Sequence, residues 1–336
     1  MKTLPLATPP PLSPRTAEAP FSPVLLAIDF GPASLSAARW ATTYVARGAD
    51  AVLAHAMAFT DDFGGRNTPS VARPDSPRRM SPALVGGLGG FAATLDVAAH
   101  RCVVRTGPPS RCLAAIAEDT GAALLVLGRR GDANRLRVGE PNVIERTARR
   151  ARSSALVVPE GVHRAPEHVV AAVDQSWFAA RVLEVASMLA RMHEVPLTVL
   201  HVLPPAAGAY DRVIRSSRLH GSEARDRKAV VRRAASPSIA PDTARWLMQL
   251  GRAHNVLGRD ATEVATGDPA REIVRTAVER GSSLVVVGMR GADDAPQGSI
   301  GSVARELLTR GPIPVLAVNA RSYIRGDSER QFARCE

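Results

Sequence analysis

Leu124-Leu125-Val126-Leu127-Gly128-Arg129-Arg130-Gly131 returns later in the chain as Leu284-Val285-Val286-Val287-Gly288-Met289-Arg290-Gly291. Working outward, the segment ending Ala155-Leu156-Val157-Val158-Pro159 returns without a gap as Val315-Leu316-Ala317-Val318-Asn319. Upstream, Val24-Leu25-Leu26-Ala27-Ile28-Asp29 matches Val169-Val170-Ala171-Ala172-Val173-Asp174. Val52-Leu53-Ala54-His55 matches Thr198-Val199-Leu200-His201, and Arg105-Thr106-Gly107 matches Ala265-Thr266-Gly267. Landmarks repeated in one order mean a tandem duplication, with its seam near Glu160–Glu167. The length of 336 residues agrees, since domains run to roughly 150 residues and each copy can bury its own core.

Each half alternates short apolar runs with helical patterns. In the second, His168–Val173, Pro196–Val202, Ala261–Thr266, Leu284–Gly288 and Pro314–Val318 read as strands. Ser176–His193 places Val182, Val185, Leu189 and Met192 at helical spacing, and Pro269–Arg280 and Ser302–Arg310 read as further helices. Strands such as Leu284–Val287 are apolar throughout, as a sheet covered on both faces requires. Strand–helix alternation implies a doubly wound parallel sheet with right-handed crossovers. The expected organisation is a disordered segment over residues 1–20, α/β domains over 21–160 and 166–320, and a tail over 321–336. Two stretches lack a period: Thr60–Leu88, and Pro204–Pro241 with its arginine-rich Asp211–Arg233. Both read as excursions, with a short helix near Ala224–Ala234; they cover a site or are variable surface loops.

Composition is globular, with 45% hydrophobic and 22% charged residues. No stretch approaches the ~20 apolar residues of a membrane span, and the Pro-rich start lacks the apolar core of a secretory signal. A cytoplasmic protein is expected. Cys102, Cys112 and Cys335 show no metal-ligand or disulfide spacing. The formal charge of +11 admits nucleic acid, a membrane surface or a phosphorylated ligand.

The glycines narrow that choice. Gly288 and Gly291 are followed, after nine intervening residues, by Gly301-Ser302. Gly288 closes a strand, and ligands of open α/β sheets bind beyond the carboxyl ends of strands. Glycine there lets the backbone approach phosphate oxygens without a Cβ in the way. Gly301-Ser302 opens the last helix, whose free N–H groups and positive dipole end favour an anion. Only Arg290 adds a cation within this stretch.

With these residues the two halves resemble universal stress protein domains, and the glycine pattern resembles that family's ATP-binding signature. The resemblance covers nearly the whole chain after residue 20. It implies a five-stranded parallel sheet in each half, adenine nucleotide as ligand, with or without Mg2+, and dimerisation through the last strand. In a tandem chain Ala155–Val158 then pairs with Val315–Val318 of the same molecule, covering two strand edges. It further implies that Asp174 and Val202 meet the nucleoside, that Gly267 borders the ribose, and that Gly288, Gly291, Gly301 and Ser302 hold the phosphates.

The first half departs from this pattern. Gly128 and Gly131 remain, as do Asp29 and Gly107, but Pro141-Asn142 stands where Gly301-Ser302 stands, and Ala56 replaces Val202. Proline lacks an N–H and adds bulk, so one good ATP site is expected, in the second half. Structural roles compete at single positions: Asp174 or Ser302 as a helix cap, Gly267 as a turn glycine, His55 and His201 as packing residues. Asp293 and Asp294 could approach a metal or be solvated loop charges.

No phosphate-binding P-loop is present, and the lysines are only Lys2 and Lys228. A dedicated enzyme is therefore not expected; at most, ATP is hydrolysed slowly. Aromatic content of 4% gives little for stacking nucleic acid, and Arg146, Arg149 and Arg150 read as a solvated face. The function expected is an ATP-binding stress-response regulator acting on conformation or assembly, with an unidentified protein partner. The alternatives are a slow ATP-using enzyme and a nucleotide-independent dimerisation scaffold.

Overall fold

The computed structural model describes residues 20–57, 82–130, 142–204, 241–254, 256, 261–290 and 300–319. The expected N-terminal segment, the C-terminal tail, most of both excursions, Gly131, Pro141, Gly291, Asp293, Asp294 and Cys335 lie outside these residues. The chain divides between His163 and Arg164 into two compact units.

The first unit runs β1 (Val24–Ala27), α1 (Pro32–Tyr44), β2 (Asp50–Met57), α2 (Pro82–Ala92), β3 (Ala99–Thr106), α3 (Pro109–Thr120), β4 (Leu124–Arg129), α4 (Val143–Arg150) and β5 (Ser154–Pro159). Its five strands pair in parallel in the order β3-β2-β1-β4-β5. The second unit runs β6 (Val169–Ala172), α5 (Ala179–Met192), β7 (Leu197–Leu203), α6 (Pro241–Ala253), β8 (Ala261–Thr266), α7 (Pro269–Glu279), β9 (Leu284–Gly288), α8 (Ser302–Arg310) and β10 (Val315–Val318). It repeats the same parallel order, β8-β7-β6-β9-β10.

Central strands are buried on both faces, as their unbroken apolar runs require. Leu25, Leu26, Leu124 and Leu125 in one unit, and Val170, Val285 and Leu316 in the other, are fully buried. Each such side chain contributes about 1.5–3 kcal/mol of apolar burial. Right-handed crossovers send successive helices to one face until the strand order reverses, then to the other. Accordingly α3 packs on α4, and α7 on α8.

Local signals set the helix ends. Pro32, Pro109 and Pro269 open α1, α3 and α7, where a missing N–H costs nothing. Gly121 and Gly281 follow α3 and α7 with φ of 60° and 65°, a left-handed stop suited to glycine.

Two helices were not foreseen. α2 begins at Pro82, inside the stretch read as an excursion up to Leu88. Its Gly86, Gly87, Gly89 and Gly90 mask the pattern, because glycine is a poor helix former, and packing against β3 holds it. α6 begins at Pro241, where the second excursion was expected to end, and packs on β7 and β8. α5 also starts at Ala179 rather than Ser176, because Asp174 holds Ser176 in a turn.

Candidate nucleotide crevice

In the second unit, β6 lies between β7 and β9, so the chain leaves β6 one way and returns on its other side. Ligands of open α/β sheets bind at this reversal, beyond the carboxyl ends of the strands. Asp174 stands two residues past β6. Its Oδ1 accepts from the Ser176 backbone N–H at 3.1 Å and from the Ser176 hydroxyl at 2.5 Å. It does not cap α5, whose N-cap is Phe178 without a side-chain hydrogen bond.

Val202 is half-buried near the end of β7 and pairs with Ala265 of β8. Gly267 follows β8 with φ 153° and donates its N–H to the Leu203 carbonyl at 3.0 Å. A Cβ there would come within 2.8 Å of Glu272 Cγ, so the turn requires glycine whatever lies beside it. Gly288 ends β9; a Cβ would come within 2.9 Å of the Arg290 carbonyl and 3.4 Å of the Phe178 ring.

Gly301 is the N-cap of α8, and its own N–H is used on the Met289 carbonyl at 2.9 Å. Ser302 is the first helical residue, exposed, and is not the cap. Gly301 has no side chain with which to cap α8, so among the described residues no side chain takes the first N–H groups of that helix, the kind of groups that face an anion at a helix start. Asp174, Val202, Gly267, Gly288, Gly301 and Ser302 therefore all sit at the carboxyl ends of the second unit's strands or directly beyond them. Gly291 lies outside the described residues.

The same crevice is built differently in the first unit. A Cβ on Gly128 would overlap the Ala33 carbonyl and the Ser34 nitrogen, because the start of α1 lies directly against the end of β4. Asp29 accepts from the Gly31 N–H at 2.9 Å and the Ser34 hydroxyl at 2.5 Å, and its other oxygen pairs with Arg130 at 3.2 Å. Burial alone would raise the Asp29 carboxyl, but Ser34, the Gly31 N–H and Arg130 together hold it below the usual carboxylate range. The N-cap of α4 is Asn142, whose side chain accepts from the Glu145 N–H at 2.8 Å. Gly107, φ 143°, repeats the Gly267 turn and donates to the Met57 carbonyl at 2.8 Å.

His55 and His201 do more than pack. Nδ1 of each meets the carbonyl at the end of its unit's first strand, Ile28 at 2.6 Å and Val173 at 2.8 Å. A carbonyl only accepts, so Nδ1 carries the proton in both. His201 also stands edge-on to Trp246, 5.3 Å away.

Several contributors escaped the sequence reading although their spacing shows them. Asp174 and Ser176 stand at the spacing of an Asx turn, and Asn142 precedes Glu145 by the three residues of a capping box. The Asp29–Arg130 pair joins positions remote in sequence and had no local signal. Burial pushes the Cys102 and Cys112 thiols up, away from reactivity. No group of three or more metal-ligating side chains occurs among the described residues, and no described helix is long and apolar enough to cross a membrane. Arg146, Arg149 and Arg150 are exposed on α4.

The model of the Universal stress protein family matches residues 20–159 and again residues 166–319. The chain belongs to the universal stress protein family. Its members include the Bacillus subtilis (strain 168) universal stress protein YxiE, 28% identical over 155 residues, which span 45% of this chain and 97% of that protein. A universal stress protein from Archaeoglobus fulgidus DSM 4304 shares the fold with a TM-score of 0.53 at 14% identity, over 88% of this chain and 97% of that one. This universal stress protein thus carries the family domain twice.

Proposed function

We propose that this universal stress protein is an ATP-binding stress-response regulator whose nucleotide site lies in the second unit. The observation that carries the reading is the contrast at the last helix of each unit. Asn142 spends its side chain on the start of α4, whereas Gly301, with no side chain, leaves the start of α8 uncapped among the described residues, beside the reversal between β6 and β9. Asp174 would take a directional hydrogen bond from the nucleoside, Gly267 would border the ribose, and the Gly288–Ser302 stretch would hold the phosphates through backbone N–H groups. Magnesium, where present, would enter on the triphosphate. Nucleotide occupancy would then shift conformation or assembly by its difference in affinity between states.

Isothermal titration of the full chain with ATP tests the reading. Binding is expected, and Asp174→Asn should weaken it about tenfold or more, since a hydrogen bond to a charged group is worth about 1.5–3 kcal/mol. Asp29→Asn should leave it unchanged. No binding at millimolar ATP with magnesium would sink the proposal. Pairing of Ala155–Val158 with Val315–Val318 within one chain belongs to the same proposal, since each unit's five-strand order ends on that strand. Sedimentation should then show a monomer rather than a dimer.

A further inference from the structure

The second unit's crevice carries an aromatic side chain that the glycine pattern does not involve. Trp177 is 77% exposed, more than any other large apolar side chain described. A tryptophan left in water forgoes more burial than any other side chain would. By contrast Trp40 is buried, and Trp246 packs against His201.

Its position is specific. Trp177 lies in the short turn between Asp174 and α5, beyond the carboxyl end of β6. Its ring meets Phe178 edge-on, with centroids 5.4 Å apart at 67°. Phe178 is itself buried, and its ring lies where a Cβ on Gly288 would touch it. Phe178 thus braces the indole from the Gly288 side while most of the indole stays open. The equivalent position in the first unit is Pro32, the first residue of α1, with no aromatic surface to offer.

We propose that Trp177 is the base-stacking residue of the second unit's nucleotide site. This rests on the nucleotide reading given above. Every base has an aromatic face, so an open indole supplies affinity without choosing among bases. Asp174, in the same turn, supplies the directional contact that can choose.

The experiment uses the full chain and ATP. Trp177→Ala should weaken ATP binding about tenfold, the range of a lost base–aromatic stack, and Trp177→Phe should restore most of it. An exposed side chain can be truncated without unfolding the protein, which unchanged circular dichroism and melting temperature would check. Saturating ATP should also protect the exposed indole from acrylamide quenching of its fluorescence. Wild-type affinity in Trp177→Ala, equal loss in Trp177→Phe, or unchanged quenching with ATP bound would each overturn the stacking role alone. A wild-type protein that binds no ATP would instead remove the nucleotide reading, and the stacking role with it.

Discussion

The crevices at the β1–β4 and β6–β9 reversals descend from one duplicated sequence, yet they spend the same kinds of groups differently. In the first, Asp29 is engaged by Gly31, Ser34 and Arg130, Asn142 caps α4, and the start of α1 presses against Gly128. In the second, among the described residues, Asp174 bonds only Ser176 and no side chain caps α8, and the phenyl ring of Phe178 lies over Gly288. Among the described residues, the first crevice engages its carboxylate and its last helix start with side chains from the same unit, and the second shows fewer such partners.

The largest expected break in that contrast is at the strand-end glycines. Gly128→Ala should destabilise the first unit by about 3 kcal/mol, because the added methyl overlaps fixed backbone. Gly288→Ala should cost roughly half that, since its closest contact, the Arg290 carbonyl at 2.9 Å, is far looser than the 2.2 Å to the Ala33 carbonyl at Gly128. Urea midpoints measure both, and equal costs would erase the distinction.

A smaller effect comes from exchanging the caps. Gly301→Asn should stabilise α8 by a few tenths of a kcal/mol while lowering ATP affinity, because the new side chain competes for the same N–H groups. Thermal melts and titration should move in opposite directions; a parallel change would count against the helix end as the phosphate contact.

The smallest effect is in pH dependence. Burial, with Arg191 adding to it against an opposing Glu184, lowers the His254 pKa below its ordinary value near 6.5. The folded unit therefore favours neutral His254, so its contribution is present above about pH 6.5 and fades as pH falls toward the lower folded value. Asp29, held below the usual carboxylate range, keeps its contribution until pH falls below about 4. On acidification the second unit should weaken first, and His254→Gln should flatten that early slope.

Much of the fold was legible because its signals are local and duplicated. The boundaries read for Ala261–Thr266, Leu284–Gly288 and Ser302–Arg310 coincide with β8, β9 and α8. Of the helices missed, α2 is one where propensity and structure conflict, since it carries four glycines and is held by tertiary packing. At the crevice, residue types and order were legible, but engagement was not. Nothing near Asp29 in sequence announces Arg130, and nothing in the glycine pattern shows that the Gly301 N–H is used on Met289. Sequence left Gly267 open between a ribose contact and a turn, and said nothing of the room for α1 that Gly128 provides or of the positive φ at Gly267.

Helix α2 carries a consequence for how the first unit opens. Gly86, Gly89 and Gly90 have no neighbour within 4 Å of an added Cβ, so three positions forgo helix propensity without gaining close packing. At roughly 0.5–1 kcal/mol each relative to alanine, they place α2 near the bottom of the local-stability range. Its amides should take up deuterium well before those of the adjoining β3, and proteases should nick it first. Alanine at the three positions should slow both, turning a fraying surface element into part of the cooperative unit.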